Sequence, residues 1–293
     1  MNDYLPKVLI LEAQSPVLLA LAQQLLAHDV RPMMGVQSPS SPGYGNSSVL
    51  VDFLDVVAMS NAMHGMDVVV IPSFHSADAR ARHALVLEAA ERAGVRHVIR
   101  LSSIGVERNS TNDWLRLNGQ ADNRVRSSGL VYTIFECAPL MQSIHLQTRT
   151  EPSGVERLLM PLGGSSVCWL DMVDLAACIA ERARQFQPPS MTYQLTGRQG
   201  LRGDQVAQAM ANALGRTVVY LNTPEHAYLA SRASHGVSKQ ELVWDQEYYR
   251  AIRAGAFELP YGDIYRLLLT PPHTLSVYLA RTETQDLFDP IRL

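Results

Sequence analysis

The sequence predicts an α/β protein: a doubly wound parallel sheet followed by a smaller, mostly helical lobe. Three observations predict it. Short apolar runs of strand length recur between residues 8 and 135, helix-length patterns separate them, and the alternation loosens after about residue 140. Strands that alternate with helices need crossover connections, which make neighbouring strands parallel and the crossovers right-handed.

Val8-Leu9-Ile10-Leu11 is a continuous apolar run, as a strand covered on both faces should be. Ser15 and Pro16 suit the N-cap and first position of a helix that the pattern carries from Val17 to Ala27. Val30 to Val36 reads as a second strand, and Gln37 to Ser48, rich in Ser, Pro and Gly, as a loop. Val49 to Val51 is a third strand, Val57 to His64 a short helix stopped by Gly65, and Asp67 to Ile71 a fourth strand. Ala79 to Ala93 is helical and ends at Gly94. Val98 to Leu101 and Tyr132 to Phe135 are strands on either side of a helix from Asp113 to Ser127. In the second half, Asp174 to Phe186 and Arg202 to Leu214 read as helices, and Met191 to Leu195 and Thr217 to Leu221 as strands. From Pro224 on, the chain is mostly helical, with Trp244, Tyr248, Tyr249 and Phe257 spaced as lobe core more than as a substrate clamp. The expected division is a domain over residues 1–140 and a lobe over 141–293 that interleaves with the sheet and shapes a substrate pocket.

Composition narrows the function. The formal net charge is −3 over 293 residues, with no basic patch or charged tail, so a nucleic-acid partner is not expected. No stretch approaches the ~18 apolar residues of a membrane span, and the start of the chain lacks a signal-peptide pattern. Cys137, Cys168 and Cys178 show no metal or redox spacing, so the reading is a reduced, cytoplasmic protein without a metal site. Lysine occurs only at Lys7 and Lys239. The expected partner is a small organic substrate, with a homodimer as the assembly to test.

Ligands of such sheets sit beyond the carboxyl ends of the strands, near the point where the strand order reverses. That places candidate residues in Glu12 to Ser15, Pro72 to Ser76, Ser102 to Gly105 and Glu136 to His145. Three stretches, Val98-Ile99-Arg100-Leu101-Ser102-Ser103-Ile104-Gly105, Ser128-Gly129-Leu130-Val131-Tyr132-Thr133-Ile134 and Trp169-Leu170-Asp171-Met172-Val173-Asp174-Leu175-Ala176, recur in this order in a known family. Tyr193-Gln194-Leu195-Thr196-Gly197 and Ala213-Leu214-Gly215-Arg216 extend the match, so that nearly the whole chain resembles the NmrA-like branch of the atypical short-chain dehydrogenase/reductases. The resemblance implies a Rossmann-type sheet with a small C-terminal lobe. It also implies either an NAD(P)H-dependent reductase or a regulator that binds the dinucleotide without chemistry.

The chain departs from that pattern where the family holds its cofactor. The G-x-x-G-x-x-G loop is replaced by Glu12, Ser15 and Leu18 at the three glycine positions. Glu12 sets a negative charge where pyrophosphate would lie, Ser15 adds bulk and caps the helix amides, and Leu18 fills the contact of helix with strand. The position of the arginine that marks NADP preference falls at about Gly35. Y-x-x-x-K is absent from the helix Trp114 to Asp122, and Glu136 stands where relatives carry arginine. The expectation is therefore that no cofactor is held, NAD or NADP binding only if the altered loop still works.

An apolar crevice with carboxylates then takes a substrate directly, since a desolvated carboxyl can act as a general acid or base. The candidate catalytic residues are Glu136 and Asp122, Ser102 and Ser103 as hydroxyl donors, and His75 and His145 near strand ends, with Glu12 as a further carboxylate. Ser102 lacks a G-x-S-x-G context, which argues against a hydrolase triad. The leading reading is a non-redox cyclase, isomerase or dehydratase of specialised metabolism. The alternatives are an NAD(P)H-dependent reductase with an unusual loop and a non-catalytic regulatory or ligand-binding protein.

Overall fold

A computed structural model describes residues 5–13, 16–41, 47–74, 78–106, 110–145 and 147–284. The first elements are β1 (Val8–Ile10), α1 (Pro16–Leu26), β2 (Pro32–Val36), β3 (Ser48–Leu50), α2 (Val56–Met63), β4 (Val68–Ile71) and α3 (Ala79–Ala93). They are followed by β5 (His97–Ser103), α4 (Asp113–Ser127), β6 (Val131–Cys137), α5 (Gln142–His145), β7 (Thr148–Thr150) and β8 (Glu156–Met160). Then come α6 (Met172–Arg184), β9 (Met191–Leu195), α7 (Gly203–Leu214) and β10 (Val218–Asn222). The last elements are α8 (Glu225–Ser234), α9 (Lys239–Arg253), α10 (Asp263–Leu268) and α11 (Leu275–Thr284).

The chain folds as two units, one of Met1–Ser110, Leu115–Glu136 and Leu175–Tyr193, the other of Thr111–Trp114, Cys137–Asp174 and Gln194–Leu293. The first is built on a seven-stranded sheet of order β3-β2-β1-β4-β5-β6-β9. The pairs β1–β2, β1–β4, β2–β3 and β4–β5 are parallel. The order reverses at β1, between β2 and β4, which is where doubly wound sheets bind ligands. Every residue of β1 and β4 is buried, which accounts for their unbroken apolar sequence. On one face Leu9, Leu11, Val69 and Ile71 meet Met59 and Met63 of α2 and Val86, Ala89 and Ala90 of α3. The alanines let α3 lie close to the strands. The helix stops at Gly94, whose left-handed φ of 68° lets its N–H reach back to the Ala90 and Glu91 carbonyls.

β5 carries polar groups on both faces. His97 is buried with its Nε2 2.9 Å from Thr133 Oγ1 on β6, and that oxygen accepts a 3.1 Å bond from Arg182 Nε on α6. The second unit holds a three-stranded sheet, with β8 parallel to β10 and antiparallel to β7. Its helices gather Tyr228, Tyr248, Tyr249 and Phe257 in edge-on and tilted contacts 4.9–6.2 Å between ring centres. Tyr248, Tyr249 and Phe257 of the aromatic stretch therefore pack against one another within this unit. Among the described residues no helix is long and apolar enough to cross a membrane.

Burial, with Arg182 nearby, pushes the His97 pKa down to about 3, and burial with Arg100 nearby pushes His83 down to about 2. Both imidazoles stay neutral in the fold while the unfolded chain takes up protons below pH ~6.5, so stability falls as pH drops from there toward 3. Each contributes a slope of about 1.4 kcal/mol per pH unit. Urea unfolding of the wild type and of His97→Asn should show the wild type losing about that much relative to the variant for each unit between pH 6 and 4. A constant difference would refute the assignment.

Candidate functional site

Polar residues form three groups in the first unit, about β5, the turn after β1 and the end of β6. The most buried group starts from Arg100. Residues 100 and 102 alternate onto the same face of β5, and residues 118 and 122 lie one turn apart on α4. Arg100, with no exposed surface, donates from Nη2 to Asn118 Oδ1 at 2.7 Å and from Nη1 to Ser73 Oγ at 3.2 Å and to the Leu101 carbonyl. Its Nε lies 3.6 Å from Asp122 Oδ1. Asp122 is equally buried, and its other oxygen accepts the Ser102 hydroxyl at 2.6 Å. Burial raises the Asp122 pKa, against the opposing pull of Arg100 and the Ser102 hydrogen bond.

Protonation of Asp122 therefore sets the direction of this bond. An ionised Asp122 takes the Ser102 hydrogen, whereas a neutral one donates to the Ser102 oxygen and frees that hydrogen for another acceptor. Arg100 could have been suspected from its position within Val98-Ile99-Arg100-Leu101, since a charge inside a buried strand requires partners. Which partners it would find was not readable from spacing alone.

The second group surrounds the turn after β1. Glu12 has a left-handed φ of 52°. Its Oε1 is 3.0 Å from Arg82 Nη1, and Arg82 Nε is 2.9 Å from Asp78 Oδ2. The Arg82 guanidinium also stacks 5.0 Å over the Phe53 ring. Burial raises the Glu12 pKa, with Arg82 opposing. Leu18 is buried in the core. Ser15 and His75 lie outside the described residues.

The third group is separate from the others. Glu136, at the end of β6, has its Oε1 3.5 Å from Arg126 Nη2 on α4. β1 and β6 stand three strand spacings apart, about 14 Å, so Glu12 and Glu136 each have their own arginine and do not form a carboxylate pair. Ser103 is buried and its hydroxyl donates to the Ile104 carbonyl at 3.2 Å. His145 is the last residue of α5, in the second unit. The structure thus joins Ser102 to Asp122 and leaves Ser103 and Glu136 outside that pair. A cavity of about 550 Å³ opens between α3 and α4, lined by Arg80, His83, Leu117, Gln120 and Arg124, and not over the strand ends.

The strand order and the switch-point turn define the class: a Rossmann-fold protein with a dinucleotide-type sheet. Residues 18–162 match the NAD(P)H-binding family model. An NAD(P)H azoreductase of Xenophilus azovorans is 30% identical over 160 residues, 55% of this chain and 56% of that protein, so the match spans little more than half of the relative's length. The fold is shared with an NADPH-dependent quinone oxidoreductase of Escherichia coli solved with NADPH. That likeness has a TM-score of 0.77 and 18% identity, covering 94% of this chain and 99% of the other. NmrA, a negative transcriptional regulator solved with NAD, follows with a TM-score of 0.72 and 17% identity, covering 97% and 99%.

The expectation that no cofactor is held is overturned by the match of residues 18–162 to the NAD(P)H-binding family. The reasons for that expectation also weaken in the structure. The left-handed turn that glycine makes easily is made by Glu12, the charge of Glu12 is balanced by Arg82, and the bulk of Leu18 is absorbed by the core.

Breaking the Arg100–Asp122 pair strands a buried charge, which costs about 3–5 kcal/mol. Arg100→Met should lower the unfolding free energy by that order. Asp122→Asn, which keeps a hydrogen-bonding group, should cost less. A loss under about 1 kcal/mol for Arg100→Met in urea titration would show that the pair does not hold the site.

Proposed function

We propose that this chain is an NAD(P)H-dependent reductase acting on small, electron-poor organic substrates of the quinone or azo kind. One observation carries the reading. At the end of the central strand of a dinucleotide-type sheet, the left-handed turn is retained at Glu12 although its glycine is gone. The NAD(P)H-binding family match and the reductases among the similar proteins support it. The non-redox cyclase, isomerase or dehydratase reading finds no support among them.

The backbone of Leu11 to Ala13, the segment Pro72 to Phe74 and the end of β5 are the parts of the first unit that would hold the dinucleotide. When bound, it supplies a hydride. The chain's own part is to manage the proton and the developing negative charge. Ser102 is the residue that meets the substrate, because its hydroxyl lies at the strand end and is fixed by Asp122 at 2.6 Å. Asp122 is a positioning residue: fully buried, it sets whether Ser102 donates or accepts. Arg100 keeps that carboxyl from being stranded without a counter-charge. Ser103 and Glu136 have no part in this reading, since their polar atoms serve Ile104 and Arg126.

Calorimetric titration with NADPH and NADH tests the reading first. Micromolar binding, about −8 kcal/mol, is expected, followed by oxidation of the reduced nicotinamide when a quinone or azo dye is added. Absence of binding up to millimolar concentration would overturn the proposal, and binding without turnover would favour a dinucleotide-sensing regulator. Ser102→Ala should lower kcat about 100-fold while leaving NADPH affinity within a few-fold of wild type, the size expected for loss of one acid–base group.

A further inference from the structure

We propose that Arg82 is the phosphate-binding residue of this chain, doing with a side chain what the missing glycine loop does with backbone amides, and that Glu12 occupies it until a dinucleotide arrives. This rests on the dinucleotide-binding reading of the same site. Three features of the first unit point to it.

The guanidinium is already immobilised. Asp78, one helical turn earlier on the α3 side, holds Nε at 2.9 Å, and the Phe53 ring lies 5.0 Å below its carbon. Phe53 is fixed by an edge-on contact with Phe74, their ring centres 5.1 Å apart. A side chain ordered in advance loses little freedom when it takes a ligand.

The guanidinium is also in the right place. Its Nη1 reaches Glu12 Oε1 at 3.0 Å, and Glu12 is the first residue of the altered loop, in the left-handed conformation at the switch point of the sheet. Its two ion pairs run from different nitrogens, Nη1 to Glu12 and Nε to Asp78. Arginine presents two parallel donors that match a phosphate, and such pairs are among the strongest hydrogen bonds proteins make.

Finally, the guanidinium is divided between two carboxylates that differ in exposure. One guanidinium faces two carboxylates, Glu12 and Asp78, and these side chains are about one-fifth and two-fifths exposed. A phosphate oxygen that takes the position of Glu12 Oε1 on Arg82 replaces the more confined carboxylate and leaves Asp78 as the anchor. Glu12 then turns to solvent. The exchange is one anion for another on the same donor, and no bond is made or broken covalently.

The experiment is calorimetric titration of NADPH into the full chain, the wild type against Arg82→Gln, Arg82→Lys and Glu12→Gln, with unfolding curves to establish that each variant is folded. Arg82→Gln should weaken binding at least 10-fold, and Arg82→Lys, which keeps the charge and loses the fork, should fall between. Glu12→Gln removes the competing carboxylate and should tighten binding several-fold. Wild-type affinity in folded Arg82→Gln, or weaker binding in Glu12→Gln, would overturn the inference while leaving the proposed function intact. If Arg82→Gln does not fold, Arg82→Lys and Glu12→Gln decide. A wild-type chain that does not bind NADPH would overturn both.

Discussion

A guanidinium with no exposed surface, in the middle of a strand of a parallel sheet, is the constraint on which the rest of the first unit depends. Left alone, that charge would cost many kcal/mol to desolvate. Arg100 is tolerated because α4 lies against β5 in the one register that brings Asn118 and Asp122 to it, while Ser73 comes from the segment after β4. Satisfying Arg100 thereby places Asp122 beside Ser102. The same strand is polar on its other face, where His97, Thr133 and Arg182 form a second buried chain of hydrogen bonds. β5 is therefore held from both sides by buried hydrogen bonds, which make it a stiff support for a site at its end.

The turn after β1 shows how one requirement of a sequence motif can be met without its glycine. A glycine pattern does three separate jobs: it permits a left-handed turn, leaves room for the backbone to approach a ligand, and lets a helix sit close on a strand. Here two of these jobs fall to other residues. Glu12 takes the left-handed conformation, which costs a residue with a side chain about 1–2 kcal/mol, and its ion pair with Arg82 offsets part of that. Leu18 turns the close contact into buried apolar surface. What remains is a site with more charge and less bare backbone than the family pattern describes.

The alternation of apolar strand runs with helices was legible because it follows from elementary periodicity, and β1, β4, β5, β6, α3 and α4 lie where that alternation puts them. β7 and β8 escaped it. They are short and carry polar residues such as Arg149, Glu156 and Arg157, and their strand form depends on the pairing of β8 with β10, more than fifty residues away in sequence. The candidate site was legible in part. Ser102, Asp122 and Glu12 stood out by type and position, yet their partners Arg100 and Arg82 did not. Arginines on strands and helices usually read as surface charge, and nothing in their spacing marks which carboxylate they will meet.

By itself, the sequence determined the fold class, the order of the strands and helices in the first half, and which strand ends carry polar groups, because these follow from local pattern and the handedness of crossovers. Only the tertiary structure decided that the chain returns to the first sheet at Leu175–Tyr193, that Glu12 and Glu136 answer to different arginines, and that the altered loop keeps its left-handed turn. Those outcomes depend on contacts between residues far apart in the chain and on the cost of leaving a buried charge unpaired. Neither is carried by the identity of any one residue.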